Sequence, residues 1–161
     1  MTISALLSRR FDEHRKLSAS RIPARLKILL AKVGFDGHDR GIKILTSILR
    51  EHGHEVVYLG KYLTVAVVVE AALQEDVDVI GLSFLGGSHI TYCQEIAQRL
   101  RERGLGRVCL VVGGVIPDKD IDPLKQAGVH AVFTPNTDTR DILKFLDNFA
   151  AQSAAAAAQI T

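Results

Sequence analysis

Asp36 and His38 stand two residues apart in the stretch Asp36-Gly37-His38-Asp39-Arg40-Gly41, directly after the apolar run Leu26-Lys27-Ile28-Leu29-Leu30-Ala31. A neutral imidazole offers one ring nitrogen to a metal while its other N–H bonds a carboxylate, which fixes the tautomer and raises the basicity of the ligating nitrogen. On that chemistry His38 is the candidate ligand and Asp36 the group that orients it. A lone histidine after a strand is ordinarily a surface or capping residue, so the weight falls on its surroundings.

A pair of this kind needs a rigid strand behind it, and open α/β sheets bind their ligands outside the carboxyl ends of the strands. Short apolar runs at 26–32, 55–59, 78–83, 107–112 and 130–134 alternate with amphipathic ones at 41–52, 64–74, 88–103, 118–127 and 138–149. The apolar runs are continuous, as in parallel strands covered on both faces. The expected fold class is therefore α/β: a flavodoxin-like (Rossmann-like) doubly wound five-stranded parallel sheet, order 2-1-3-4-5. Pro117 and Asp118 open the fourth helix, and Gly53, Gly104 and Gly128 stand just past helix ends. One segment conflicts. Thr64-Val65-Ala66-Val67-Val68-Val69 has strand propensity, yet two parallel strands need a crossover, so a helix is expected there.

In that order the loops after strands one, three, four and five line one crevice. They supply Asp36 to Gly41, then Ser83-Phe84-Leu85-Gly86-Gly87-Ser88-His89, then Gly113-Gly114, then Thr134-Pro135-Asn136-Thr137. Glycine lets a ligand approach the backbone, and a hydroxyl beside it supplies a polar contact. The crevice is suited to something long and mostly apolar that reaches deep between strands. The glycine pairs have a blander reading as turn residues. Asp39 and Arg40 have one as a surface pair, with Arg40 free to face a partner protein. His14, His52, His54 and His130 read as solvated, and His89 reads as a cap for the third helix in preference to a contact at the edge of a bound ligand.

The chain has 161 residues, 47% of them hydrophobic, which suffices for one domain with a sizeable core. Residues 1–26 carry six Lys/Arg against two Asp/Glu; with a net charge of +2 overall, the remainder stands at minus two. Nucleic-acid binding is not expected of such a body. Residues 1–25 form a basic leading segment in which Leu6, Leu7 and Phe11 allow a short docking helix, 26–149 form the domain, and 150–161 form an Ala-rich tail expected to be disordered or a frayed helix. No run approaches the ~20 apolar residues of a membrane span, so a cytoplasmic protein is expected. Cys93 and Cys109 lack metal or redox spacing and read as buried free thiols.

Asp36-x-His38-x-x-Gly41, Ser83-x-Leu85 and Gly113-Gly114 together resemble the three-part signature of the cobalamin-binding domain of base-off/His-on corrinoid enzymes. The string Ala31 to Gly41, with Val112-Gly113-Gly114-Val115-Ile116-Pro117, is similar to that domain in the methylmalonyl-CoA mutase group, over about residues 26–149. The resemblance implies adenosylcobalamin as cofactor, with His38 as cobalt ligand, Asp36 completing a supporting dyad and Lys32 near that carboxylate. Gly37 and Gly41 would let the loop pass under the corrin, flanked by Asp39 and Arg40. Ser83, Leu85, Gly86, Gly113, Gly114, Thr134 and Pro135 would line the site and the slot for the nucleotide tail. Two places depart from the family pattern: Thr64-Val65-Ala66-Val67 replaces Thr-Pro-Glu-Glu, and Thr134-Pro135-Asn136-Thr137 replaces Gly-Pro-Gly-Thr, which implies a narrower tail pocket.

The implied function is the cobalamin-binding small subunit of an adenosylcobalamin-dependent acyl-CoA mutase acting, for example, on methylmalonyl-, isobutyryl- or 2-hydroxyisobutyryl-CoA. A (β/α)₈ barrel of ~250 residues does not fit in this chain, so a large substrate-binding subunit is the expected partner, and this chain is not catalytic without it. The alternative is a corrinoid carrier of a methyltransferase system, which normally has a helical cap ahead of the sheet. A response-regulator receiver fails, because Ser83-Phe84-Leu85 offers no phosphoacceptor carboxylate and Thr134-Pro135 no lysine. A dinucleotide module fails for want of Gly-x-Gly-x-x-Gly after strand one.

Overall fold

The computed structural model describes residues 24–160. Five strands alternate with five helices: β1 (Lys27–Val33), α1 (Arg40–Glu51), β2 (Glu55–Leu63), α2 (Val65–Glu75), β3 (Val79–Phe84), α3 (His89–Glu102), β4 (Cys109–Gly114), α4 (Ile121–Gln126), β5 (Ala131–Phe133) and α5 (Thr139–Ala158). A 3₁₀ turn, Asp118–Asp120, leads into α4. All strand pairs are parallel, in the order β2-β1-β3-β4-β5. The expected topology is the observed one.

The continuous apolar runs are explained by two cores. Leu29, Ala31, Val33, Ile80 and Leu82 pack on the side of α2 and α3, while Ile28, Leu30, Val79 and Val111 pack on the side of α1 and α5. Successive strand residues point to opposite faces, so a strand covered on both sides must be apolar at every position.

The valine-rich segment is helical. Its buried residues, Val65, Val68, Val69 and Ala72, recur at helical spacing. Burying a valine side chain contributes about 1.5–3 kcal/mol, against a few tenths lost for β-branching in a helix, so packing decides. The departure from Thr-Pro-Glu-Glu leaves the cap intact: Thr64 Oγ1 accepts from the Val67 amide at 3.3 Å. Helix α5 runs nine residues past the expected end at 149, with Ala151 to Ala158 exposed. Alanine has the highest helix propensity, and the Ala-rich segment is helical as far as Ala158. The docking helix expected around Leu6, Leu7 and Phe11 lies outside the described residues, as does Thr161. Strand β2 ends at Leu63 instead of 59. Among the described residues no helix is long and apolar enough to cross a membrane.

Candidate functional site

β1 ends at Val33, and the loop that follows carries Asp36 and His38 to the carboxyl edge of the sheet. Asp36 Oδ1 accepts from both the His38 backbone amide and His38 Nδ1, each at 2.9 Å. Its other oxygen takes the Leu85 amide at 2.9 Å and pairs with Lys32 Nζ at 2.8 Å. Partial burial works against the ionised carboxyl, but the Lys32 ammonium, the His38 amide and ring and the Leu85 amide outweigh it and hold Asp36 well below the usual carboxylate range. An ionised Asp36 makes His38 Nδ1 the donor, which leaves Nε2 with a free lone pair. The His38 side chain is 77% exposed, so that lone pair faces outward.

Lys32 is fully buried, and its ammonium reaches three acceptors: Asp36, the Ser83 carbonyl at 3.0 Å and Ser83 Oγ at 3.3 Å. With Lys32 donating to its oxygen, the Ser83 hydroxyl keeps its own proton for another partner.

Two depressions of about 470 and 370 Å³ flank His38. The smaller is lined by Lys32, Gly37, Asp39, Arg40 and Leu85 among others, and Gly86 lines the larger. Gly41, Ser83 and Gly114 line the smaller depression and also a third space, an apolar slot of about 270 Å³. The slot runs down between α1 and α5 onto the sheet, where Ile28, Leu30, Val79, Gly81, Val111 and Gly113 face it. Thr134 lines the slot; Pro135 is exposed and lines none of the three spaces. A Cβ on Gly41 or Gly86 would meet nothing within 4 Å, so the space beside them is open. A Cβ on Gly114, at φ +115°, would overlap the Phe84 carbonyl, so there the backbone itself requires glycine. The strand-end loops thus supply only the mouth of the slot. Its walls, among them Ile42, Leu45, Ile48 and Ile142, come from α1 and α5, which the loop-centred reading missed. The signal was present in Gly81, a glycine in mid-strand.

Several expectations are corrected. Asp39 pairs with Lys43 at 2.9 Å and Lys61 at 3.4 Å, not with Arg40. His89 does not cap α3, whose cap position is Ser88; it is buried, and its Nε2 bonds Asp120 at 2.8 Å. His54 is buried, not solvated, and accepts the Leu26 amide at Nδ1. His52 is half-buried against Asp147, and His130, although exposed, accepts the Leu110 amide. His52, His54 and Asp147 bring ligand atoms within 4.8 Å of one another. The Leu26 bond keeps the His54 proton on buried Nε2, which therefore has no lone pair for a cation. Cys93 and Cys109 are buried free thiols, as expected.

Comparison with known proteins gives a consistent picture. The family described as B12 binding domain matches residues 26–144. The 2-hydroxyisobutanoyl-CoA mutase small subunit of Aquincola tertiaricarbonis is 43% identical over 118 residues, 73% of this chain and 87% of that one. The pivalyl-CoA mutase small subunit of Xanthobacter autotrophicus is 42% identical over 119 residues, 74% and 80% of the two chains. Among solved structures, a cobalamin-binding protein from Desulfitobacterium hafniense superimposes with a TM-score of 0.68 at 25% identity, over 78% of this chain and 59% of that one.

Proposed function

Because the chain belongs to the B12-binding domain family, we propose that it is the cobalamin-binding small subunit of an adenosylcobalamin-dependent acyl-CoA mutase, an isomerase completed by a large catalytic subunit. The observation that carries this reading is the outward lone pair of His38 Nε2, tied through Asp36, Lys32 and Ser83 to the mouth of the apolar slot.

The residues present fit the cofactor. His38 would ligate cobalt, and Asp36 holds the imidazole in the ligating tautomer. The slot would take the apolar nucleotide base, with the Ser83 hydroxyl donating to a base nitrogen. When bound, adenosylcobalamin supplies homolysis of its cobalt–carbon bond, the start of a radical rearrangement. The chain's own part would be to hold the His38 imidazole in its ligating orientation through Asp36, to exclude water from the slot and to leave the cofactor's reactive side open to the partner. That partner is read as a (β/α)₈ barrel holding a short branched acyl-CoA, since both mutase small subunits named above serve such substrates.

The test is to mix the purified chain with adenosylcobalamin and record its visible spectrum, with His38→Ala alongside. A base-off/His-on spectrum in the wild type that the variant loses is the expected result. A spectrum with the cofactor's own benzimidazole still on cobalt would overturn the assignment. A methyl-corrinoid form serving a methyltransferase, with no isomerisation in the presence of a large mutase subunit, would favour the carrier reading.

A further inference from the structure

β2 is longer than its partner needs. Leu30 pairs with Tyr58, Ala31 with Gly60 and Val33 with Leu63, so β2 spends two more residues than β1 over the same stretch. The surplus is taken up at positive φ, by Gly60 at +104° and Tyr62 at +60°. Glycine adopts that geometry freely; a tyrosine there has its Cβ against its own backbone. Strained residues persist only where their surroundings over-determine them, and they gather at functional sites. Burial does not hold Tyr62, which is 58% exposed.

What holds it is the loop that carries His38. A Cβ on Gly37 would overlap the Tyr62 hydroxyl, so that hydroxyl fills the space beside the residue between Asp36 and His38. Lys61 lies 5.5 Å over the Tyr62 ring, donates to the Gly37 carbonyl at 3.4 Å and pairs with Asp39 at 3.4 Å. The Gly34 amide donates to the Leu63 carbonyl at 3.0 Å, closing the other end of the segment.

From these contacts we infer that Tyr62 is a positioning residue for His38: the strained end of β2 braces Gly37 and sets the aim of the imidazole before the cofactor arrives. An exposed ring with one side-chain hydrogen bond would otherwise lose its freedom on binding, at a cost in affinity. The inference rests on the cobalamin reading above.

Tyr62→Gly separates the two roles a strained residue can have, because glycine accepts the backbone conformation while removing the brace. The apo variant is expected to melt no lower than the wild type, yet to bind adenosylcobalamin about tenfold more weakly and with a smaller His-on fraction. Gly37→Ala should lose binding by collision with the hydroxyl, and the double variant Gly37→Ala/Tyr62→Gly should regain part of it, since coupled neighbours are non-additive. Wild-type affinity and spectrum in Tyr62→Gly would overturn the inference, as would a lowered melting point or simple additivity in the double variant. A wild-type chain with no His-on spectrum would remove the functional reading itself, and this inference with it.

Discussion

Lys32 reaches Ser83 twice, at the carbonyl and at the hydroxyl, while pairing with Asp36 at 2.8 Å. One buried ammonium therefore joins the residue that orients the proposed cobalt ligand to the polar residue at the mouth of the slot. It also cross-links β1 to β3 at the point where the strand order reverses.

Replacing that cation should be costly. Lys32→Met keeps the volume but leaves the Asp36 carboxylate, whose side chain is only 14% exposed, without its ammonium. Breaking a buried pair from one side costs about 3 kcal/mol. Urea unfolding of the apo chain should show a loss of that order; an unchanged midpoint would mean that the pair contributes little.

The depressed Asp36 carboxyl makes a prediction in acid. Its folded pKa lies below its unfolded value of about 4, so its contribution is complete above that pH and is lost as the pH falls toward the folded value. Unfolding free energy measured from pH 5 downward should fall more steeply in the wild type than in Asp36→Asn. Parallel acid limbs would contradict the assignment.

Two adjacent glycines should behave differently. A methyl on Gly113 finds its nearest neighbour at 3.6 Å, so Gly113→Ala should fold within about 0.5 kcal/mol of wild type while narrowing the slot and weakening cobalamin binding. Gly114→Ala would force a side chain into the Phe84 carbonyl at φ +115°, and should cost about 3 kcal/mol of stability. Calorimetry of the apo proteins and a binding titration separate the two effects.

Burial pushes both cysteine thiols up to about 12. At pH 8 the native chain should resist a thiol reagent and react only at the rate of unfolding. Rapid labelling of either thiol in the folded protein would contradict the described core.

The topology was legible because strands covered on both faces cannot hide their pattern, and the Asp36–His38 dyad because it is local. The slot walls were not. They depend on which faces of α1 and α5 meet across the sheet, a relation between residues such as Ile48 and Leu146 that no short motif records. His54 and His89 were misread for a similar reason: each sits beside a turn in sequence, yet its partner, Leu26 or Asp120, is 28 or 31 positions away. The end of β2 at Leu63 was also hidden, because a tyrosine in the left-handed region contradicts local preference.

Helix α1 begins two residues after His38, and its apolar face is one wall of the slot. On the proposed assignment, the group that fills the slot and the residue that would hold the metal thus meet at one helix. A corrinoid shorn of its nucleotide arm would leave the slot empty and forgo that apolar burial, so the chain should bind it more weakly than the complete cofactor.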